Sequence, residues 1–200
     1  LPRQSKPPAQ SDDPAAEEAH LAANLRRMRQ EAGLTLDQVA ALSGVSRAMI
    51  SKIERGVSVP TATVLGKLAG ALKVSLSQLL GRFQPREPQL IRREDQSIFR
   101  DPKTGFQRRA LSPLFADGAV DIAFNCLPAG RAVSFPPHHA GVEEYLVVQE
   151  GTLKVVLEDR SFSVSAGDTL FFPSHCGHEF RNETNEQVSF LIVIDDRSKR

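Results

Sequence analysis

Two hundred residues, 40% of them hydrophobic, are enough for one large domain or two small ones, so length alone does not choose. No apolar run nears the roughly 18 residues of a membrane span, the first residues are polar where a secretory signal would be greasy, and Cys126 and Cys176 lie too far apart to suggest a disulfide framework; a soluble cytoplasmic protein is expected. The net charge of +1 hides an asymmetry: residues 1–82 hold 11 Lys and Arg against 7 Asp and Glu, and residues 83–200 hold 14 against 17, which makes the basic half the candidate nucleic-acid face.

Residues 1–13 mix Pro, Gln, Ser and Lys without hydrophobic periodicity and read as a disordered tail. Asp13-Pro14 is a helix start, and Leu21, Leu25 and Met28 recur at helical spacing until Gly33 ends the run. Short helices follow. Thr35 with Gln38 and Ser75 with Gln78 have capping-box spacing, Gly44 and Gly56 supply left-handed positions, and Pro60 prevents continuation. Residues 14–81 are thus expected to form an all-α domain of five helices. Residues 82–88, with two prolines and three charged side chains, read as a linker.

From Gln89 to Asp196 the apolar period changes to two. Val120, Ile122, Phe124 and Cys126 alternate, as do Leu153, Val155 and Leu157, then Phe162 and Val164, and Phe190, Ile192 and Ile194. Turn clusters at 128–130, 150–152, 166–168 and 182–185 separate these runs, a spacing that suits an all-β sandwich or jelly-roll barrel over 89–196, with 197–200 as a tail.

The segment from Thr35 to Gly56 has the pattern of a helix-turn-helix. Val39, Ala40, Val45, Ile50 and Ile53 supply its core, Gly44 the turn, and Ser46 a cap for the second helix. At 100° per residue, Ala48, Ser51, Lys52 and Arg55 lie opposite Ile50 and Ile53, with Arg47 on the flank. Arg47 or Lys52 could meet guanine O6 and N7, and Ala48 a thymine methyl, in a major groove.

These residues resemble the Xre and phage-repressor family over residues 21–80, through Leu34-Thr35-Leu36, Val39-Ala40, Gly44-Val45-Ser46, Ile50-Ser51, Glu54-Arg55-Gly56, Pro60-Thr61, Leu68-Ala69 and Leu72. The family often has Gln, touching a phosphate, where this chain has Leu36, so that contact is not carried over. The resemblance implies a double-stranded DNA operator as partner, with Ser46, Arg47, Ala48, Ser51, Lys52 and Arg55 at the interface.

In the β half two clusters stand out: Gly130, His138, His139, Glu143, Glu144 and Gly151, then Gly167, Pro173, His175, Cys176, His178 and Asn182. They resemble the two signature motifs of the cupin family over residues 85–195. Pro137 occupies the first histidine position of the first motif, and His138 falls on the opposite side of an extended strand unless a bulge turns it inward. The resemblance implies His139, Glu144 and His178 as ligands for a divalent Zn, Fe, Mn or Ni, with His138 or Cys176 as a fourth. The alternative is that these side chains bind an organic ligand directly. Arg108, Arg109 and Arg131 are candidates to pair with a ligand carboxylate, Arg131 foremost because it adjoins the first motif, and His138, Tyr145 and Cys176 complete the expected effector wall.

The combination resembles bacterial regulators that join an Xre-type headpiece to a cupin sensor. It implies a homodimer on a two-fold operator, regulated by a small molecule in the barrel. A metal-dependent cupin enzyme of dioxygenase or isomerase type, carrying a DNA-binding head, is the alternative; the sequence offers metal ligands but no clear additional acid, base or nucleophile, so a non-enzymatic sensor is preferred. A barrel that serves only to dimerise is the third reading.

Overall fold

The computed structural model describes residues 14–81, 87–113, 115 and 119–199. The expected tail at 1–13, residues 82–86 of the expected linker and Arg200 lie outside them.

Five helices make up the N-terminal part: α1 (Pro14–Glu31), α2 (Leu36–Ser43), α3 (Arg47–Glu54), α4 (Ala62–Leu72) and α5 (Leu76–Leu80). Local chemistry sets their ends. Both expected capping boxes are formed, at Thr35 with Gln38 and Ser75 with Gln78, and Gly44 ends α2 in the left-handed conformation that lets the chain turn tightly into α3. Leu21, Leu25, Val39, Ile50, Ile53, Leu65, Leu68 and Leu79 interlock in one apolar core. Leu36 packs against this core, which explains an apolar residue at that position. Across it, Arg29 of α1 reaches both carboxylate oxygens of Glu54 at 2.7 and 2.9 Å and also donates to the Leu34 carbonyl. With side chains only 14% and 6% exposed, this pair fixes the end of α3 against α1.

After a 3-10 turn at Arg93–Asp95, ten strands among the described residues form two antiparallel sheets. The larger orders β1 (Ile98–Arg100), β2 (Gln107–Ala110), β3 (Val120–Leu127), β10 (Val188–Asp196), β5 (Val142–Glu150) and β8 (Thr169–Pro173). The smaller orders β4 (Ala132–Phe135), β9 (His178–Arg181), β6 (Thr152–Leu157) and β7 (Arg160–Ser165), giving the expected double-sheet architecture. Phe172, Phe180, Phe190, Leu146 and Leu153 are buried in the barrel half. The last described residues, Arg197–Lys199, form a 3-10 turn in which Arg197 pairs with Glu143 at 2.8 Å.

Strand β3 inverts the usual parity. The apolar set Val120, Ile122, Phe124 and Cys126 lies on the outer, partly exposed face, while Asp121, Ala123, Asn125 and Leu127 are buried. Register places Arg108 opposite Asn125, and Arg108 is also buried, with Nη2 donating to Asp121 Oδ2 at 3.0 Å. Polar groups are thus built into the barrel interior, and the apolar outer residues are shielded in part by neighbours such as Arg109, stacked 5.0 Å over Phe124.

The helical part docks on the barrel through α4 and β4. Gly66 lies against the Phe135–Pro136 step, where a Cβ would come within 3.0 Å of the Pro136 ring and 3.2 Å of Phe135. Glycine permits this approach. The buried Asp101 carboxylate accepts from the Ala62 N–H at the start of α4 and from the amides of Lys103 and Thr104, so a barrel side chain caps a head helix. Thr63 Oγ1 donates to the Ser134 carbonyl at 2.9 Å, and Glu17 of α1 accepts from the Ile98 N–H, also at 2.9 Å.

Candidate functional site

Helix α3 presents one side to its core and the other to solvent. Ile50 and Ile53 are buried; Ser46, Arg47, Ala48, Lys52 and Arg55 are exposed, and Ser51 is half-buried. Ser46 caps the helix by accepting from the Met49 N–H at 3.3 Å. Arg55 donates to Ser51 Oγ at 2.7 Å. Arg47 meets Asp37 of α2 at 3.2 Å, but with side chains 63% and 76% exposed this ion pair contributes little and leaves the guanidinium available. Met49, exposed beside Ala48, is a further candidate base contact that helical projection alone does not single out.

In the barrel, His138, Glu144 and His178 converge: one ligand atom from each lies within 4.8 Å of the others. Glu144 points inward from β5 and His178 opens β9. Nε2 of His138 is 3.1 Å, and Nε2 of His178 3.6 Å, from the same Glu144 oxygen. Ligands around an ion with bonds of about 2.1 Å stand about 3.0–3.4 Å apart, so the set is near coordinating geometry. The Glu144 carboxylate is buried, and the two imidazoles are the groups that approach this oxygen. A buried carboxylate is tolerated only where such partners or a cation offset its desolvation, and a cation between the three side chains would do so.

Surroundings hold the three side chains in place. His178 Nδ1 lies 3.4 Å from the Cys176 carbonyl, so the tautomer that donates there directs the Nε2 lone pair toward Glu144. Its ring stacks on Phe135 and contacts Phe172 and Phe180. Burial alone would push the Glu144 carboxyl up, but the opposing influence of His178, His138 and Arg108 outweighs it and holds the group below its ordinary value, ready to act as an anionic ligand.

His138 takes the place expected of His139, a correction with a structural cause. Strand β4 ends at Phe135, and Pro136-Pro137 carry the chain away from the ladder before the histidines, so strand alternation no longer governs which one faces inward. The His138 N–H donates to the Ser174 carbonyl and aims the ring at Glu144, whereas His139 turns to Asp196 at 3.0 Å and Ser198 at 3.2 Å.

The expected effector residues also fall differently. Arg131 is exposed on a turn, and Tyr145 lies on the outer sheet face against Phe171. Cys176 is outside the triad, and its thiol is pushed up by burial and by Glu158 and Glu144, which disfavours a thiolate ligand. The arginine that reaches the cavity is Arg108, joined there by Asn125. The polar Asp121 and Asn125, four residues apart on the same face of β3, are the available sequence sign of an interior site. Asn182 is structural: its amide donates to the Leu127 and Glu186 carbonyls and closes a loop.

Residues 25–79 match the HTH_3 family, helix-turn-helix, and residues 124–194 match the Cupin_2 family, cupin domain. The HTH-type transcriptional regulator SutR of Escherichia coli (strain K12) is 29% identical over 180 residues, covering 87% of this chain and 93% of the relative. The HTH-type transcriptional regulator PuuR of the same organism is 26% identical over 159 residues, covering 79% and 85%. Among solved structures, an HTH_3 family transcriptional regulator from Vibrio cholerae is 31% identical with a TM-score of 0.75, covering 90% of this chain and 97% of that one.

Proposed function

The chain belongs to the HTH_3 family of DNA-binding transcriptional regulators, and from that premise we propose that α3 reads an operator while the barrel senses a small molecule at a divalent metal held by His138, Glu144 and His178. The observation that carries the sensing half is the convergence of two imidazoles and a buried carboxylate in a small cavity walled by Phe135, Phe180 and Ile192. A metal bound there would act as a Lewis acid that holds a ligand donor; the protein's residues orient it and exclude water.

On the reading side, Arg47 and Lys52 approach base edges and phosphates while the Ser46 cap keeps the start of α3 ordered. A homodimer would place two such helices in half-sites about one DNA turn apart. Ile122, Phe124, Leu191, Val193, Tyr145 and Phe171 form paired rows on the outer sheet face, an apolar surface that supports self-association. No helix among the described residues is long and apolar enough to cross a membrane; reading an operator is work for the cytoplasm, which is the location we propose.

Sensing is preferred over catalysis because beyond the triad the cavity presents Arg108 and Asn125 and is otherwise walled by aliphatic and aromatic groups, a set suited to holding rather than transforming a ligand. Elemental analysis of the purified full chain tests the centre. About one metal per chain is expected in the wild type and little in His178→Ala, with His139→Ala retaining it. Equal metal content in all three would remove the triad from the proposal, and robust turnover of small acids or amines that vanishes with His178 would replace sensing with catalysis.

A further inference from the structure

Two buried polar atoms of the inner cavity lack hydrogen-bond partners among the described residues, Arg108 Nε and Asn125 Oδ1, as does Asp121 Oδ1 beside the Arg108 guanidinium. Arg108 Nε is a donor and Asn125 Oδ1 an acceptor, and these two residues face each other across β2 and β3. Phe106, Phe135, Phe180 and Ile192 make the cavity walls apolar. A complementary molecule therefore carries an acceptor for Arg108, a donor for Asn125 and a short hydrocarbon body.

Charge narrows the class. Arg108 and Asp121 neutralise each other at 3.0 Å, and Glu144 contributes one negative charge. A divalent ion on the triad leaves the chamber one positive charge in excess, which a monoanion cancels. A carboxylate meets this condition and accepts well from a guanidinium.

The cavity does not end at the barrel. It shares His138 and Ile194 with a second cleft, lined on one side by Asp121, His139 and Asp196 and on the other by Lys73, Ser75 and Gln78 from the α4–α5 corner of the head. Leu76 of α5 itself lines the inner cavity. Lys73 is exposed at the left-handed end of α4 and makes no ion pair among the described residues.

We infer that the inner cavity and this cleft form one effector site shared by both domains, and that it takes a small monocarboxylate bearing a hydroxyl or amino donor beside the carboxylate. The inference rests on the sensing reading above. The carboxylate accepts from Arg108, the donor meets Asn125 Oδ1, and the outer end of the molecule lies beneath the Lys73–Gln78 corner. A ligand that touches the head has different affinities for different head placements, the condition any effector must satisfy to shift DNA binding.

The test uses the full chain loaded with Co²⁺, titrated by calorimetry with 2-hydroxy and 2-amino acids of three to six carbons and with the amide of each. At least one acid should bind about tenfold or more tightly than its own amide, a preference that Arg108→Gln abolishes. Because Arg108→Gln also strips Asp121 of its partner, Asn125→Ala serves as a second cavity variant and should weaken the same acid while thermal melting confirms that it folds. Lys73→Gln, on the head surface, should weaken that acid by about two- to fivefold. Acids and amides binding alike, or no acid binding at millimolar concentration, overturns the proposal. Arg108→Gln acting while Lys73→Gln does not overturns the shared site. Failure of the wild type to hold Co²⁺ at the triad overturns instead the sensing reading on which it rests.

Discussion

The helical head buries few polar side chains, Asn24, Ser77 and Gln78 among them, and puts Arg47, Ala48, Lys52 and Arg55 on its surface, whereas the barrel buries the charged or titratable Arg108, Asp121, Glu144 and His178 together with Asn125. Stability and function are therefore separable in the head and entangled in the barrel. A surface residue can be changed with little cost to folding, while a buried polar residue carries desolvation costs that only its partners or a ligand offset.

The largest expected effect breaks that contrast, because the head has a largely buried charged pair of its own, Arg29 with Glu54. Glu54→Ala leaves Arg29 without its carboxylate and should destabilise the protein by about 3–5 kcal/mol in denaturant melts. Replacing both partners together, with Arg29→Met and Glu54→Leu, should recover most of that loss, since no uncompensated charge remains. A Glu54→Ala protein as stable as the wild type would mean that apolar packing alone holds α3 against α1.

Asp101 tests where the two regions meet. Asp101→Ala removes the acceptor for the first amide of α4 and should cost about 1–2 kcal/mol, with faster hydrogen exchange concentrated at residues 62–65. Exchange spread evenly through the head would show that Gly66 packing, not the cap, secures the docking.

On the reading face the contrast becomes sharper. Arg47→Ala should lose about 1–3 kcal/mol of operator affinity together with discrimination between bases, and Lys52→Ala should weaken all sequences alike and lower the salt slope by about 1. Both variants should melt within about 0.5 kcal/mol of the wild type. The measurements are fluorescence anisotropy on a duplex selected from a random pool, at several salt concentrations. Unchanged affinity in both would remove α3 as the reading helix.

The same contrast explains what the sequence reveals. Caps and turns act over three or four residues, so Thr35, Gly44 and Ser75 disclose the head's helices directly, and the i, i+3 spacing of Ile50 and Ile53 discloses which side of α3 is free. Arg29 and Glu54 are 25 residues apart, and no local pattern pairs them. In the barrel, alternation discloses the strands but not which parity faces inward, because β3 buries Asp121 and Asn125 on the side where apolar residues are ordinarily expected. The choice between His138 and His139 turns on Pro136 and Pro137, which end the ladder and with it the period of two.

The smallest expected effect is the most discriminating for the barrel. Arg131 adjoins the first cupin motif in sequence but is exposed, and the contact it makes with Asn182 is through its backbone carbonyl. Arg131→Ala should therefore leave metal content unaltered and stability within about 0.5 kcal/mol of the wild type. Arg108, by contrast, sits 23 residues earlier in the chain yet shares a cavity with Glu144. If Arg131→Ala disturbed metal binding as much as Arg108→Gln, proximity to the motif would outweigh burial as the guide to this site. If only Arg108→Gln did so, the inward face of β2 and β3 belongs to the centre even though neither strand supplies a ligand to it.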